Sequence, residues 1–295
     1  MTLLSLRGSP SDIVDEPVPL TRTVRRKLLH HKGFLVGASL ALALAVLAVI
    51  GPLIARAPNI TDYAHQLAAP NAHQWLGTDA AGRDEFARTV AGARDTLGAA
   101  LLVFLLATVV GVGAGVIAGF IGGPIDAVLS RLMDLLLGLP QLVLALAVVG
   151  ALGPSFANLI LAMAVASWAF LGKLSRSLTL SSRHRPDVIA ARMAGMSTTR
   201  IAVGHVLPGV LAQALISATL QLGDTILNLA ALSFLGLGAQ PPTAEWGGML
   251  NDSRLDLTIA PWLLIGPGVG ILLAVTAATL ISDALRDCTD PGHHS

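Results

Sequence analysis

The sequence predicts an all-α, polytopic membrane protein with six transmembrane helices. Three observations carry that expectation. Of the 295 residues, 54% are hydrophobic and only 13% are charged, about half the charged share of an ordinary soluble domain. The mean hydropathy is +0.71, and the apolar residues are gathered into long runs. Six of those runs approach the roughly 20 residues needed to cross a bilayer core.

Residues 1–33 form a polar N-terminal tail with Pro10, Pro17 and Pro19, ending in a basic cluster of Arg22, Arg25, Arg26, Lys27 and Lys32. The first run, 34–55, is too long for a signal-peptide core and lacks a clean small-residue cleavage site, so it is expected as a retained span. Segment 56–96 mixes acids and bases and is expected outside the membrane. Within it, Gly77-Thr78-Asp79 and Gly82-Arg83-Asp84 have the composition of tight turns. They serve either to fold that loop or to meet a partner.

The second run, 97–120, leads into Gly111, Gly115, Gly119 and Gly123, four residues apart, which predicts a helix face that another backbone can approach closely. Gly113-Ala114-Gly115-Val116-Ile117-Ala118 formally matches a dinucleotide fingerprint. It is rejected, because that motif needs a preceding strand and a βαβ unit. The third run, 135–152, is interrupted by Pro140 and has a start as early as Ala127. Asp134 in this run is expected to pair locally with Arg131, and Gln141 is a weaker polar candidate. The fourth, 156–171, is short and follows through Gly153-Pro154-Ser155.

The fifth run, 206–229, carries Gln213, Ser217, Gln221, Asp224 and Asn228. Steps of four, four, three and four place these on one helix face. A carboxylate at mid-membrane costs about 3 kcal/mol, so Asp224 is expected to face protein or water, as the wall of an aqueous path or as an interhelical hydrogen-bonding group. The sixth run is 261–281, and residues 286–295 form a C-terminal tail. Before it, Gln240-Pro241-Pro242 and Trp246 predict a turn with an interfacial anchor.

An even number of spans puts both termini on one side, and the Lys/Arg bias says which. The loop after the fourth run holds Lys173, Arg176, Arg183, Arg185, Arg192 and Arg200 against the single acid Asp187. The N-terminal tail is basic too. Both termini and the loop 172–205 are therefore expected in the cytoplasm. That loop contains Ile189-Ala190-Ala191-Arg192-Met193-Ala194-Gly195. Its small residues Ala190, Ala191, Ala194 and Gly195 give a short helix one smooth face, suited to close approach by another protein.

The residues exclude several function classes. A net charge of +1 gives no sign of nucleic acid. The lone Cys288 rules out an intramolecular disulfide, and no metal or cofactor is expected in this chain. Catalytic motifs are lacking. Gly172-Lys173 is followed by Leu174 where a phosphate-binding loop needs Ser or Thr, so any ATP and magnesium must act on another chain. An intramembrane enzyme using Asp224 or Asp134 would need a second catalytic group at matching depth, and none is seen. A scaffold would gain nothing from Asp224.

Taken together, the blocks resemble the permease subunits of bacterial ABC importers. The 187–195 helix and Leu207-Pro208 are similar to that family's EAA motif. Trp75-Leu76-Gly77-Thr78-Asp79 with Gly92-Ala93-Arg94, then Leu232-Ser233-Phe234-Leu235-Gly236-Leu237-Gly238, then Asp283-Ala284-Leu285-Arg286-Asp287 with Asp290-Pro291, resemble the C-type subunit of the dipeptide/oligopeptide/nickel branch. The resemblance runs from about residue 30 to 291. It implies a type I importer whose core, 97–285, pairs with a homologous B-type permease, two ATPase subunits or a fused one, and an extracytoplasmic substrate-binding protein. It also implies ATPase coupling through Asp187, Ala190, Ala191, Ala194, Gly195, Leu207 and Pro208, and a substrate that is a peptide or, alternatively, nickel or another small solute. Three residues depart from the pattern: Ile189 replaces the usual Glu, Gly209 a common Asn, and Ser282 a common Gly.

Overall fold

The computed structural model describes residues 27–55 and 58–289. The basic cluster at Arg22, Arg25 and Arg26 and the Asp290-Pro291 pair lie outside them. Among the described residues the architecture is helical, with one isolated bridge between Thr78 and Asp84.

Helix α1, Lys32–Ile54, is capped by His31, whose Nδ1 accepts from the Phe34 N–H at 3.3 Å. Only 11% of its apolar stretch is buried, so most of its surface is left for lipid or another subunit. It leans on the helices at Glu85–Ile121 and Ile265–Thr289.

The chain then makes a 3-10 turn, Tyr63–His65, and reaches the tight turns at Gly77 and Gly82, both with positive φ. Asp84 caps the next helix by accepting from the Ala87 N–H at 3.1 Å. This helix, α2, spans Glu85–Ile121, 37 residues. It starts well before the expected residue 97. At 1.5 Å per residue it is about 55 Å long, which exceeds a core of about 30 Å, so one end projects.

Gly122, at φ 73, ends α2. Helix α3, Gly123–Leu137, and helix α4, Gln141–Leu152, meet at a bend of 97°. Pro140 caps α4 and has no N–H to continue α3, and it disfavours helical backbone at Leu139. The third expected span is thus a broken pair. Two ion pairs hold α3 to the helix at Phe156–Ser182: Asp126 with Arg176, and Asp134 with Lys173 at 2.6 Å. Asp134 therefore pairs across helices, not locally with Arg131.

Helix α5, Phe156–Ser182, is 27 residues long, so it runs well into the expected loop. Its polar residues fold back: Ser167 donates to the Met163 carbonyl at 2.6 Å and Thr179 to the Ser175 carbonyl at 2.7 Å. Helices α2 and α5 make the most extensive helix contact. A Cβ on Gly111 would lie 2.7 Å from the Trp168 carbonyl oxygen, and one on Gly119 would lie 2.8 Å from Thr179 Cβ. The glycine face is real at 111, 115 and 119. Gly123 has left it, because α2 ends first.

Helix α6 is Pro186–Met193 and helix α7 Thr198–Leu220, the latter with a π-helical turn at Ala202–Val206. Helix α8 is Leu222–Phe234, helix α9 Trp246–Ser253, and helix α10 Ile265–Thr289 after a 3-10 turn at Pro261–Leu264. His31 Nε2 lies 3.5 Å from Asp287 and links the start of α1 to the end of α10. Among the described residues, five helices are long and apolar enough to cross a membrane, or six when α3 and α4 count as one span.

Candidate coupling surface and translocation path

The short helix α6 starts with Pro186, whose missing N–H is not needed in a first turn. Asp187 in that turn suits the positive end of the helix. Its carboxylate takes two bonds from Arg185, each 3.1 Å, and lies 3.7 Å from His205 Nδ1. Gly195 stops the helix at φ 75, while the Met196 N–H reaches back to the Ala191 carbonyl at 3.1 Å.

The small residues of α6 do not share one face. Ala191 is buried with Val188 against Ile201, Val206, Val210 and Ala214. Ala190, Ala194 and Gly195 are exposed beside Ile189 and Met193, the last 84% exposed. One side of α6 is thus glued to its own subunit, and the other is an open apolar knob without the smooth contour expected from the sequence. A Cβ on Gly195 would meet no atom within 4 Å.

Leu207 is half-buried and Pro208 exposed at the start of the regular part of α7. Pro208 cannot donate to the Gly204 carbonyl, and its ring crowds that carbonyl. The wide turn at Ala202–Val206 sits where this conflict arises. Arg183 Nη1 donates to the Gly119 carbonyl at 3.1 Å, so this whole region lies at the C-terminal end of α2.

The polar stripe differs from its expected form. The helix breaks at Gln221, so Gln213 and Ser217 stand on α7 while Asp224 and Asn228 stand on α8. Thr225 bonds the Gln221 carbonyl through its backbone N–H and its hydroxyl, both at 2.9 Å. Gln213 and Asp224 are exposed; Ser217, Gln221 and Asn228 are half-buried. Gln221 Nε2 is buried without a hydrogen-bond partner among the described residues. Asp224 occupies the first turn of α8, where the helix dipole favours a negative charge.

The other end of α2 holds a buried polar cluster that the sequence did not reveal. Asp79 accepts from the N–H groups of Ala81 and Arg83, each 2.9 Å, from Arg83 Nε at 2.6 Å, and lies 3.4 Å from Arg88 Nε. Arg88, 1% exposed, also donates to Asn59 and to the Pro242 carbonyl, both at 3.2 Å. Nearby, Glu245 accepts from the N–H groups of Gly247 and Gly248, each 2.9 Å, and from the Thr96 hydroxyl at 3.2 Å. Burial pushes the Glu245 carboxyl above its ordinary range, against the opposing pull of those donors. Trp246 is fully buried and donates to the Thr89 carbonyl at 2.9 Å, so it is a packing element, not an interfacial anchor. The sequence counted these charges only as a loop without basic excess. Gly92 leaves the room that Trp246 takes: a Cβ there would lie 3.2 Å from Trp246 Cδ1.

Comparison with known proteins covers nearly the whole of this architecture. Residues 111–293 match the family described as binding-protein-dependent transport system inner membrane component, and residues 19–70 match the N-terminal TM domain of oligopeptide transport permease C. The chain is a C-type permease subunit of an ABC importer.

Among its relatives, the dipeptide transport system permease protein DppC of Alkalihalophilus pseudofirmus is 40% identical over 271 residues, spanning 92% of this chain and 89% of its own length. The nickel transport system permease protein NikC of Escherichia coli K12 is 38% identical over 234 residues, with shares of 79% and 84%. The glutathione transport system permease protein GsiD of an Escherichia coli O6 strain is 38% identical over 268 residues, with shares of 90% and 88%. This permease is thus a multi-pass protein of the bacterial inner membrane, with the fold of a type I importer. The larger match takes in α6, the π-turn and the polar stripe. The cluster around Asp79 and Arg88 falls between the two matched regions.

Proposed function

We propose that this permease forms half of a peptide-import pathway and is driven through α6 by a separate ATPase subunit that carries ATP and magnesium. The observation that carries this reading is the two-sided character of α6. Val188 and Ala191 fix it to the body of the subunit, while Ile189, Ala190, Met193, Ala194 and Gly195 are left open. A force applied to the open side passes into α2 and α7 with little slack, because the joint is close-packed. Leu207 and Pro208 set the angle at which α7 leaves that joint.

In this reading the α6 end and both termini are cytoplasmic, and the turns at Gly77 and Gly82 face an extracytoplasmic binding protein. A homologous B-type permease completes the path, with Gln213, Ser217, Gln221, Asp224 and Asn228 on its wall. The 40% identity to a dipeptide permease favours peptides. The 38% identity to a nickel permease keeps nickel as the second reading. The test is ATPase activity of the complex that co-purifies with this chain, with binding protein and either mixed peptides or nickel. Stimulation by peptide-loaded binding protein is the expected result. Stimulation by nickel alone selects the second reading, and absence of a co-purifying ATPase overturns the coupling role of α6.

A further inference from the structure

We propose that the groove between α1, α2, α8 and α10 holds a structural phospholipid with an amine headgroup, its acyl chain in the groove and its phosphate on Arg94. The groove has a volume of about 570 Å³ and is walled by apolar residues including Leu44, Ala48, Leu101, Ile226 and Ala277. It exists because alanines line α1 and α10 there and because Gly98 has no side chain. A Cβ on Gly98 would meet nothing within 4 Å.

One turn before Gly98, on the same face of α2, stands Arg94. It lines this groove and also a separate polar hollow of about 330 Å³ shared with Pro52, Asn59, Asp95 and Thr243. Arg94 is exposed, and no hydrogen bond or ion pair holds its guanidinium among the described residues. From 97 to 121, α2 has no charged residue. Arg94 and Asp95 are therefore the last charges before the hydrocarbon, at the depth where lipid headgroups lie.

A cation at the mouth of an apolar slot, with a carboxylate beside it, has the pattern of a zwitterionic lipid in reverse. The phosphodiester takes charge-assisted bonds from the Arg94 guanidinium. The headgroup ammonium meets Asp95 in the hollow. The acyl chain fills the slot that alanines and Gly98 leave open. A helix from a neighbouring subunit would fill the slot too, but would bring no phosphate to Arg94.

The experiment uses the intact importer, exchanged from detergent into nanodiscs of phosphatidylethanolamine or phosphatidylglycerol. Phospholipid retained after re-extraction is measured by native mass spectrometry. Phosphatidylethanolamine is expected to stay bound. Arg94→Gln weakens retention by about tenfold, the loss of a hydrogen bond to a charged group. Gly98→Phe lowers it by filling the slot, Arg94→Lys recovers part of it, and Asp95→Asn removes the preference over phosphatidylglycerol. Unchanged retention in Arg94→Gln and Gly98→Phe complexes that assemble normally overturns the proposal. So does a cysteine at position 98 that cross-links to the second permease in place of a photoactivatable lipid. Should Arg94→Gln fail to assemble, Gly98→Phe and Arg94→Lys still decide.

Discussion

At the scale of single residues, Gly115 and Glu245 show how little room the interior has. A Cβ on Gly115 would strike the Gly172 carbonyl and sit 2.7 Å from Ser175 Cβ. Backbone cannot yield as a side chain can, so Gly115→Val should push α2 and α5 apart and cost about 1–3 kcal/mol. The loss is read as a lower melting temperature of the detergent-purified complex, and an unchanged value would refute the close contact. Glu245→Ala should leave two helix N–H groups and the Thr96 hydroxyl unmatched in a buried place, costing about 1–3 kcal/mol. The pH dependence has a definite sign. Burial raises the Glu245 carboxyl, so its contribution to stability is complete below the unfolded value and fades as pH rises through the folded one. Melting temperature plotted against pH should slope downward more steeply for the native chain than for Glu245→Gln. The glycine spacing was legible because a period of four is a direct mark of one helix face. Glu245 was not, since nothing in a single acid before Trp246 says that the chain folds over it.

At the scale of elements, α6 and α8 make the sharpest predictions. Gly195→Arg should block capture of the ATPase subunit. Any side chain there is strained by the positive φ, so Gly195→Ala is the control that shares the strain without the bulk. Loss of the ATPase with Arg but not Ala fits docking; normal co-purification with Arg refutes it. Asp224→Leu should impair transport in vesicles and leave the subunits assembled, because Asp224 is exposed and does not pack. Loss of the whole complex would instead give Asp224 a structural role. The existence of the spans was readable from apolar run length, but their ends were not. Helix α5 continues past 171 through Arg176 and Thr179, which are polar yet satisfied by α3 and by helix backbone, and through Ser175, whose hydroxyl is buried without a partner among the described residues. Helix α2 begins at Glu85 under a polar loop. The break at Gln221 was hidden because no Pro marks it and Gly223, two residues on, sits inside the fifth apolar run.

At the scale of the whole molecule, the exposed apolar surface is divided between faces that need different covers. Leu42, Val49 and Leu53 on α1, and Val128 and Leu135 on α3, are widely exposed. A bilayer covers such residues at no cost, but the exposed Asp224 and Gln213 beside Leu211 and Leu215 call for water or protein. The chain expressed without a second permease should therefore be cleared from membranes faster than when co-expressed with it, as measured by pulse-chase. Equal lifetimes would mean that the polar face needs no partner. The fold class and family were readable at this scale, because run lengths and ordered motif blocks survive without knowledge of packing. The arrangement of the polar stripe was not, since two helices divide what one periodicity implied.

The π-turn at Ala202–Val206 acts as a phase shifter. It holds one residue more than the α-helical repeat needs, as a spare tooth does in a gear. Deleting Gly204 would let the turn relax to ordinary pitch and rotate everything before it by about 100° about the axis of α7. Val188 and Ala191 would lose their seat, and the knob of Ile189 and Met193 would point elsewhere. The chain would keep its composition, its spans and nearly its length, yet the two halves of the lever would be mistimed.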